Sequence, residues 1–359
     1  MQRACDACLV RAWLLARLAG HLEQVRADID AVLALADQEL IAATAGRHRA
    51  AIAGELERLD VPALRRQSGA AGVETICRCD PGYPPRLRAL SSPPAVLHVA
   101  GGLERLLMLA DRDPVAIVGA RRASPYGLDV ARALGRGLAR SGVTVLSGMA
   151  LGIDSAAHAG ALEAGGPTLA VLPGPADRPY PARKRALHRR IVAGGASVSE
   201  LPCETGIRRW AFRARNRIIA GLAAVTVVVE AGSRSGSLMT ARYARSLGRP
   251  VGAVPGRVTS PAAEGPNALL ATGARVVRGP QDVLDHLFGA GVREAVLDPQ
   301  AELAPEHRRL LAAIADGLDT PAALIRAGVA AQEGLAALAA LELGGYVSRG
   351  PGGRFRALP

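Results

Sequence analysis

The chain has 359 residues, 49% of them hydrophobic and only 3% aromatic, and its 44 basic against 32 acidic side chains give a formal charge of +12. That length predicts two or three domains rather than one. The composition excludes a membrane-spanning protein, since no run of about 18 uncharged apolar residues occurs. Asp6 and Arg11 also interrupt the start where a signal peptide would be continuously apolar, so a cytoplasmic protein is expected.

The positive balance favours a polyanion partner, because neutralising phosphates releases condensed counterions. Lys184 is the only lysine, however, and arginine supplies the remaining cations of a chain crowded with Ala and Gly. A GC-rich genome gives that pattern to any protein, so the placement of the arginines must decide. The scarcity of aromatics argues against holding single strands mainly by stacking, although two or three well-placed rings suffice.

Residues 1–90 carry helical periodicity, as in LVRAWLLARLAGHLEQVRADIDAVLAL and AAIAGELERLD, broken by Gly and Pro, and predict a small helical domain. YPPRLRALSSPPAVLHVAGG (83–102) is Pro-rich and reads as a connector. From 114 onward short β-branched runs alternate with helical segments: VAIVG, VTVLSG, TLAVLPG, ASVSE, VTVVVEAG, PVGAVPG and ARVVRG. Their interiors are apolar without alternation, as in parallel strands covered on both faces. The expected fold is α/β, a Rossmann-like doubly wound, mostly parallel sheet over 91–288. A linker is expected over 289–304. In 305–359 three helical stretches and a hairpin turning on GPGG predict a winged helix.

Ligands of such a sheet bind outside the carboxyl ends of the strands, where loops enter helix N-termini bearing free N–H groups. After VAIVG come Gly119, Arg121, Arg122 and Ser124. VTVLS is followed by Gly148 and Gly152, with Asp154 near a helix start. VTVVVEA leads into Ser235, Gly236 and Ser237, the makings of an anion-binding nest. The segment RWAFRARNRIIAGL adds Arg213, Arg215, Asn216 and Arg217 just before a buried strand. Neither GxGxxG nor GxxxxGK[ST] occurs. His158 reads as capping or packing, Glu230 as able to orient an arginine, and no constellation demands catalysis, so the chain is read as a non-enzyme.

Five cysteines are present. CDAC (Cys5, Cys8) and CRC (Cys77, Cys79) have zinc-like pairing, and a cytosolic chain is not expected to hold disulfides, so two readings stand for these four, free thiols in a small domain or a structural zinc site, against which the second pair counts as CxC rather than CxxC; Cys203 stands apart.

IVGARRASPYG, SGMALGIDSAAHAGALEAGG, RNRIIAGL, VVVEAGSRSGSLMTARYA and AVPGRV, in this order and spacing, resemble the DprA/Smf family of DNA-processing proteins over roughly residues 80–287. The two ends resemble accessory domains of that family in outline, the N-terminal one of SAM-like or helix-hairpin-helix-like kind. The resemblance implies a single-stranded DNA-binding homodimer that protects incoming DNA and loads the recombinase RecA during natural transformation. It implies a phosphate-facing set of Gly119, Arg121, Arg122, Ser124, Gly148, Gly152, Arg215, Asn216, Arg217, Ser235, Gly236 and Ser237. Two positions depart from the family pattern: Leu151 stands where an Arg is usual, and Arg213 where a Pro is usual. Two other readings are a phosphoribohydrolase-like nucleotide hydrolase on the same scaffold and a winged-helix transcription regulator. The first would place a Glu on the helix after EAGSRSGSLMT, and the second would want cations on AAQEGLAALAALEL.

Overall fold

Burial on both faces explains why the central strands lack alternation. In β4 (Val115–Val118), Val115 and Ile117 enter one hydrophobic cluster while Ala116 and Val118 enter another. Successive side chains leave opposite faces of a strand, so both faces of the sheet are covered. A computed structural model describes residues 2–295, 303–343 and 345–358. It divides into two compact units, Met1–Ala295 and Val296–Pro359.

The first unit is built on ten strands: β1 (Gln2–Arg3), β2 (Glu74–Cys77), β3 (Val96–Ala100), β4, β5 (Val145–Ser147), β6 (Thr168–Val171), β7 (Ala196–Ser199), β8 (Val225–Val228), β9 (Val251–Ala253) and β10 (Arg275–Val276). Their order across the sheet is β1-β2-β3-β7-β6-β5-β4-β8-β9-β10. The seven strands from β7 to β10 in that order are mutually parallel. After β4 the chain steps outward through β5, β6 and β7, then crosses back to the other side of β4 for β8, β9 and β10. That reversal beside β4 is the topological switch point, where a crevice opens at the carboxyl ends of the strands.

All seven expected strands are present, but three more extend the sheet. β3 pairs antiparallel with β7, β2 antiparallel with β3, and β1 parallel with β2. The stretch read as a Pro-rich connector therefore contains a fully buried strand, Val96–Ala100. Its prolines stop at Pro94, so they bound the strand without interrupting its ladder.

On one face the helices Pro125–Arg140 and Ile153–Glu163 cross closely. A Cβ at Gly135 would stand 2.2 Å from the Ala157 carbonyl oxygen, and one at Gly160 would stand 2.0 Å from that of Arg132. Helices between residues 6 and 57 gather Leu14, Leu18, Leu22, Ile29, Leu40 and Ile52 into a cluster that also takes in Leu201, Trp210, Ala211 and Ala214. The Trp210 indole N–H donates to the Ala19 carbonyl at 3.0 Å. The N-terminal helices thus cover the back of helix Arg209–Leu222.

In the second unit the helices Pro305–Ala315, Pro321–Arg326 and Ala331–Leu343 pack with the hairpin β11 (Val347–Arg349) and β12 (Phe355–Ala357) around Leu310, Ile314, Leu324, Leu341 and Phe355. Thr320 caps the middle helix, its hydroxyl accepting from the Ala323 N–H at 3.2 Å. This is the expected winged helix. Of the linker expected over 289–304, residues 296–302 lie outside the described residues. Among the described residues no helix is long and apolar enough to cross a membrane.

Candidate nucleic-acid interface

The loops after β4, β5 and β8 and the outer face of helix Arg209–Leu222 enclose a cavity of about 340 Å³ at the switch point. Arg209, Phe212, Arg213, Asn216 and Ile219 line it at helical spacing. The opposite face of the same helix buries Trp210, Ala211 and Ala214 under the N-terminal helices. One amphipathic helix therefore serves two purposes: packing locks its roll angle, and the locked angle presents its cations to the crevice.

Four arginines, Arg121, Arg209, Arg213 and Arg215, face this cavity against one carboxylate, Asp154. Arg215 is only 6% exposed. Its Nη1 donates to the Val171 carbonyl at 2.9 Å, while its buried Nε has no partner. Burial pulls this guanidinium down to about 10, opposed by the Asp154 carboxylate and reinforced by Arg121, so it remains a cation at neutral pH. Burial pushes Asp154 up, and Arg215 together with backbone N–H groups of Gly148 and Ala150, at 3.2 and 3.4 Å, pull it back. A cation stripped of water with an unused N–H attracts an anion more strongly than one on the surface.

Gly148 exists for Arg215. A Cβ there would fall 1.5 Å from Arg215 Nη1, so only glycine lets the guanidinium lie across the β5 loop. Gly152, at φ +76°, has the same kind of role between loops, since its Cβ would meet the Ala120 carbonyl oxygen at 2.2 Å.

On the other wall, helix Ser237–Ser246 begins at Gly236 with no side-chain cap. The Ser235 and Ser237 hydroxyls sit 2.7 Å apart, and the Asn216 amide nitrogen donates to the Gly236 carbonyl at 3.1 Å. The first N–H groups of that helix are partnered, Ser237 with the Ser235 hydroxyl at 3.4 Å, Leu238 with the Ser235 carbonyl at 3.2 Å and Met239 with the Gly236 carbonyl at 3.1 Å, so this wall offers an anion two hydroxyls and the positive end of the helix dipole. At the mouth, the Arg121 guanidinium lies 4.8 Å from the Phe212 ring centroid, and Tyr180 meets the same ring edge-on at 5.3 Å.

Seven of the twelve residues expected to face phosphate line the cavity: Gly119, Arg121, Arg215, Asn216, Ser235, Gly236 and Ser237. Gly148 and Gly152 support its walls. The other three stand elsewhere. Ser124 caps helix Pro125–Arg140, accepting from the Gly127 N–H at 3.1 Å, and gives its hydroxyl and N–H to Glu230 at 2.5 and 2.8 Å. Glu230 accordingly ties a loop down and does not orient an arginine. Arg217 is buried and donates from Nη2 to both oxygens of Glu200 at 2.6 Å. Arg122 is exposed and outside the cavity wall.

The sequence reading missed Arg209 and Phe212, which only the helix phase reveals. Arg213 lines the cavity and pairs at 3.6 Å with Asp30 from the N-terminal helices. His158 is a packing residue: its Nδ1 is 2.6 Å from the Thr168 hydroxyl, and burial holds the imidazole neutral, near 3. The Sγ atoms of Cys5, Cys8, Cys77 and Cys79 come together within 4.8 Å of one another, at the β2 end of the sheet.

Fold and site define a Rossmann-like protein with a cation-lined crevice at the switch point, joined in one chain to a winged helix. The model of the DNA recombination-mediator protein A family matches residues 74–288, and that of the DprA winged helix domain matches residues 295–353. Protein Smf of Escherichia coli is 39% identical over 284 residues, 76% of this chain and 75% of that protein. The crystal structure of DNA processing protein A from Streptococcus pneumoniae superposes with a TM-score of 0.63 at 29% identity, covering 80% of this chain and 99% of that one. The DNA processing protein A of Helicobacter pylori, described for its single-stranded DNA binding mode, superposes with a TM-score of 0.52 at 31% identity over 57% of this chain and 92% of that one. The chain belongs to the DprA/Smf family of DNA-processing proteins.

Proposed function

We propose that this protein binds single-stranded DNA without sequence preference, holding its phosphates in the switch-point crevice. The observation that carries this reading is the convergence of four arginines and a helix N-terminus flanked by two hydroxyls on one cavity. The Helicobacter relative, with its single-stranded DNA binding mode, supports the choice of strand. In the finer reading, supported by family membership, the protein acts in the cytoplasm as a homodimer that protects incoming DNA and hands it to RecA during natural transformation, as a binding protein and not an enzyme. The helical segment 1–90 and the winged helix 305–359 then serve as accessories to the DNA-binding domain 91–288.

The test is a salt titration of oligonucleotide affinity. Four arginines and the helix N-terminus amount to about five phosphate contacts, and at about 0.7 per contact log K should fall against log salt with a slope near −3.5. A flat response would remove the phosphate reading.

Phe212 has one face covered by Arg121 and lies at the mouth, where an unstacked base can meet the ring. Phe212→Ala is expected to weaken binding by about 1–3 kcal/mol, the worth of one stacked base. Competition with an abasic strand checks the cause: the variant should bind that strand as well as the parent does.

A further inference from the structure

We propose that Cys5, Cys8, Cys77 and Cys79 bind one zinc ion, which pins the N-terminal segment to the sheet behind the crevice helix. Two remote stretches of chain deliver the four thiols to one point. Cys5 precedes helix Asp6–Arg17 and Cys8 is its third residue, while Cys77 ends β2 and Cys79 follows in the turn. All four Sγ atoms lie within 4.8 Å of one another, and those of Cys8 and Cys79 are 3.7 Å apart. Thiolates held at about 2.3 Å from a tetrahedral zinc are separated by about 3.8 Å along each edge, so little rearrangement closes the site.

The surroundings are those of a built metal site. The Cys5 N–H donates to the Cys77 sulfur at 3.3 Å, the kind of bond that orients a thiolate ligand. Strand pairing and side-chain ties fix both ligand pairs independently of any metal. Strand pairing sets Gln2 opposite Thr75 and Arg3 opposite Ile76, Arg3 grips Asp80 through two nitrogens at 2.6 and 3.0 Å, and Arg65 donates to the Ala4 carbonyl at 2.7 Å. Cys8 and Cys77 are buried, whereas Cys5 and Cys79 are exposed and leave a route for the ion. Soft thiolates in a four-sulfur tetrahedron select zinc or iron, and a mononuclear structural site fits zinc.

The consequence reaches the DNA site through packing. Leu9 and Ala12 of the helix that carries Cys8 pack against Ala95 and Val96, and its Leu14 and Leu15 join the cluster that buries Trp210 and Ala211. The ion would therefore hold the layer that fixes the roll of helix Arg209–Leu222. The inference does not depend on the proposed function, since metal content is read without DNA.

The experiment uses the full chain purified without added metal. Elemental analysis and native mass spectrometry should find about one zinc per chain, and a thiol reagent should leave these four cysteines unreacted until a chelator is added. Cys79→Ser, at an exposed ligand, should lose the zinc and melt at a lower temperature, whereas Cys203→Ser, outside the cluster, should keep it. Less than about half an equivalent of zinc, iron in its place, an intact mass showing the four cysteines oxidised in pairs, or zinc retained by a Cys79→Ser, Cys5→Ser double variant would each overturn the proposal.

Discussion

Replacing Arg121 and Arg215 together by alanine is expected to lower affinity for single-stranded DNA at least about a hundredfold, to the same extent for every base sequence. Each lost charge-assisted bond to phosphate is worth about 1.5–3 kcal/mol, and two such losses exceed a factor of 100. The salt dependence should flatten by about 1.4, two contacts at about 0.7 each. A loss confined to some sequences would mean that the crevice reads bases, because phosphate contacts carry no sequence information.

Arg215 also offsets the buried Asp154 charge, so its removal costs stability. A thermal melt must accompany the titration for that reason. Gly148→Ala tests location apart from net charge, with the same melt as its control, because a displaced guanidinium also moves away from Asp154. It keeps every charge but places a methyl where Arg215 Nη1 now lies, and the flexible end of that side chain must swing away. Weakened binding with near-parental melting would show that the location of the guanidinium, and not net charge, holds the strand. Unchanged affinity would remove Arg215 from the interface.

Arg217→Ala is expected to destabilise the first unit by about 3–5 kcal/mol, the range for stripping one partner from a buried pair. Arg217 and Glu200 side chains are 3% and 8% exposed, and alanine would leave the carboxylate buried without its counter-ion. Replacing both, as Arg217→Met with Glu200→Leu, should recover most of the loss, since a buried pair of hydrophobes often matches a buried salt bridge. Urea unfolding of the single and double variants measures both numbers. A single variant as stable as the parent would show that the pair is not the tie described. Arg215 and Arg217 are two residues apart on one helix, yet losing the first should show in DNA affinity and losing the second in unfolding.

Much of the architecture was legible in the residues. Unbroken apolar runs such as VAIVG and VTVVV report strands covered on both faces, and the Gly and Ser residues that follow them report turns into helices. Both signals are local, so a mostly parallel sheet and a binding edge at the carboxyl ends of its strands could be inferred, but not the order of the strands. Strands β1 to β3 were not legible. Gln2–Arg3 is too short to show a period, and Val96–Ala100 owes its place to remote partners, β7 on one edge and β2 on the other, with hydrophobic clusters taking its side chains.

The cations of RWAFRARNRIIAGL show the same boundary. By itself the sequence determined that arginines gather before a buried strand, that glycines and serines gather after three others, and that two cysteine pairs stand at opposite ends of the helical segment. Only the tertiary structure decided that Arg215 enters the crevice, that Arg213 shares itself between the crevice and Asp30, that Arg217 turns inward to Glu200, and that the four thiols meet. The physical reason is that spacing along the chain sets only the angle between side chains on a helix. The absolute direction comes from Trp210 anchored beneath helices contributed by the first 57 residues.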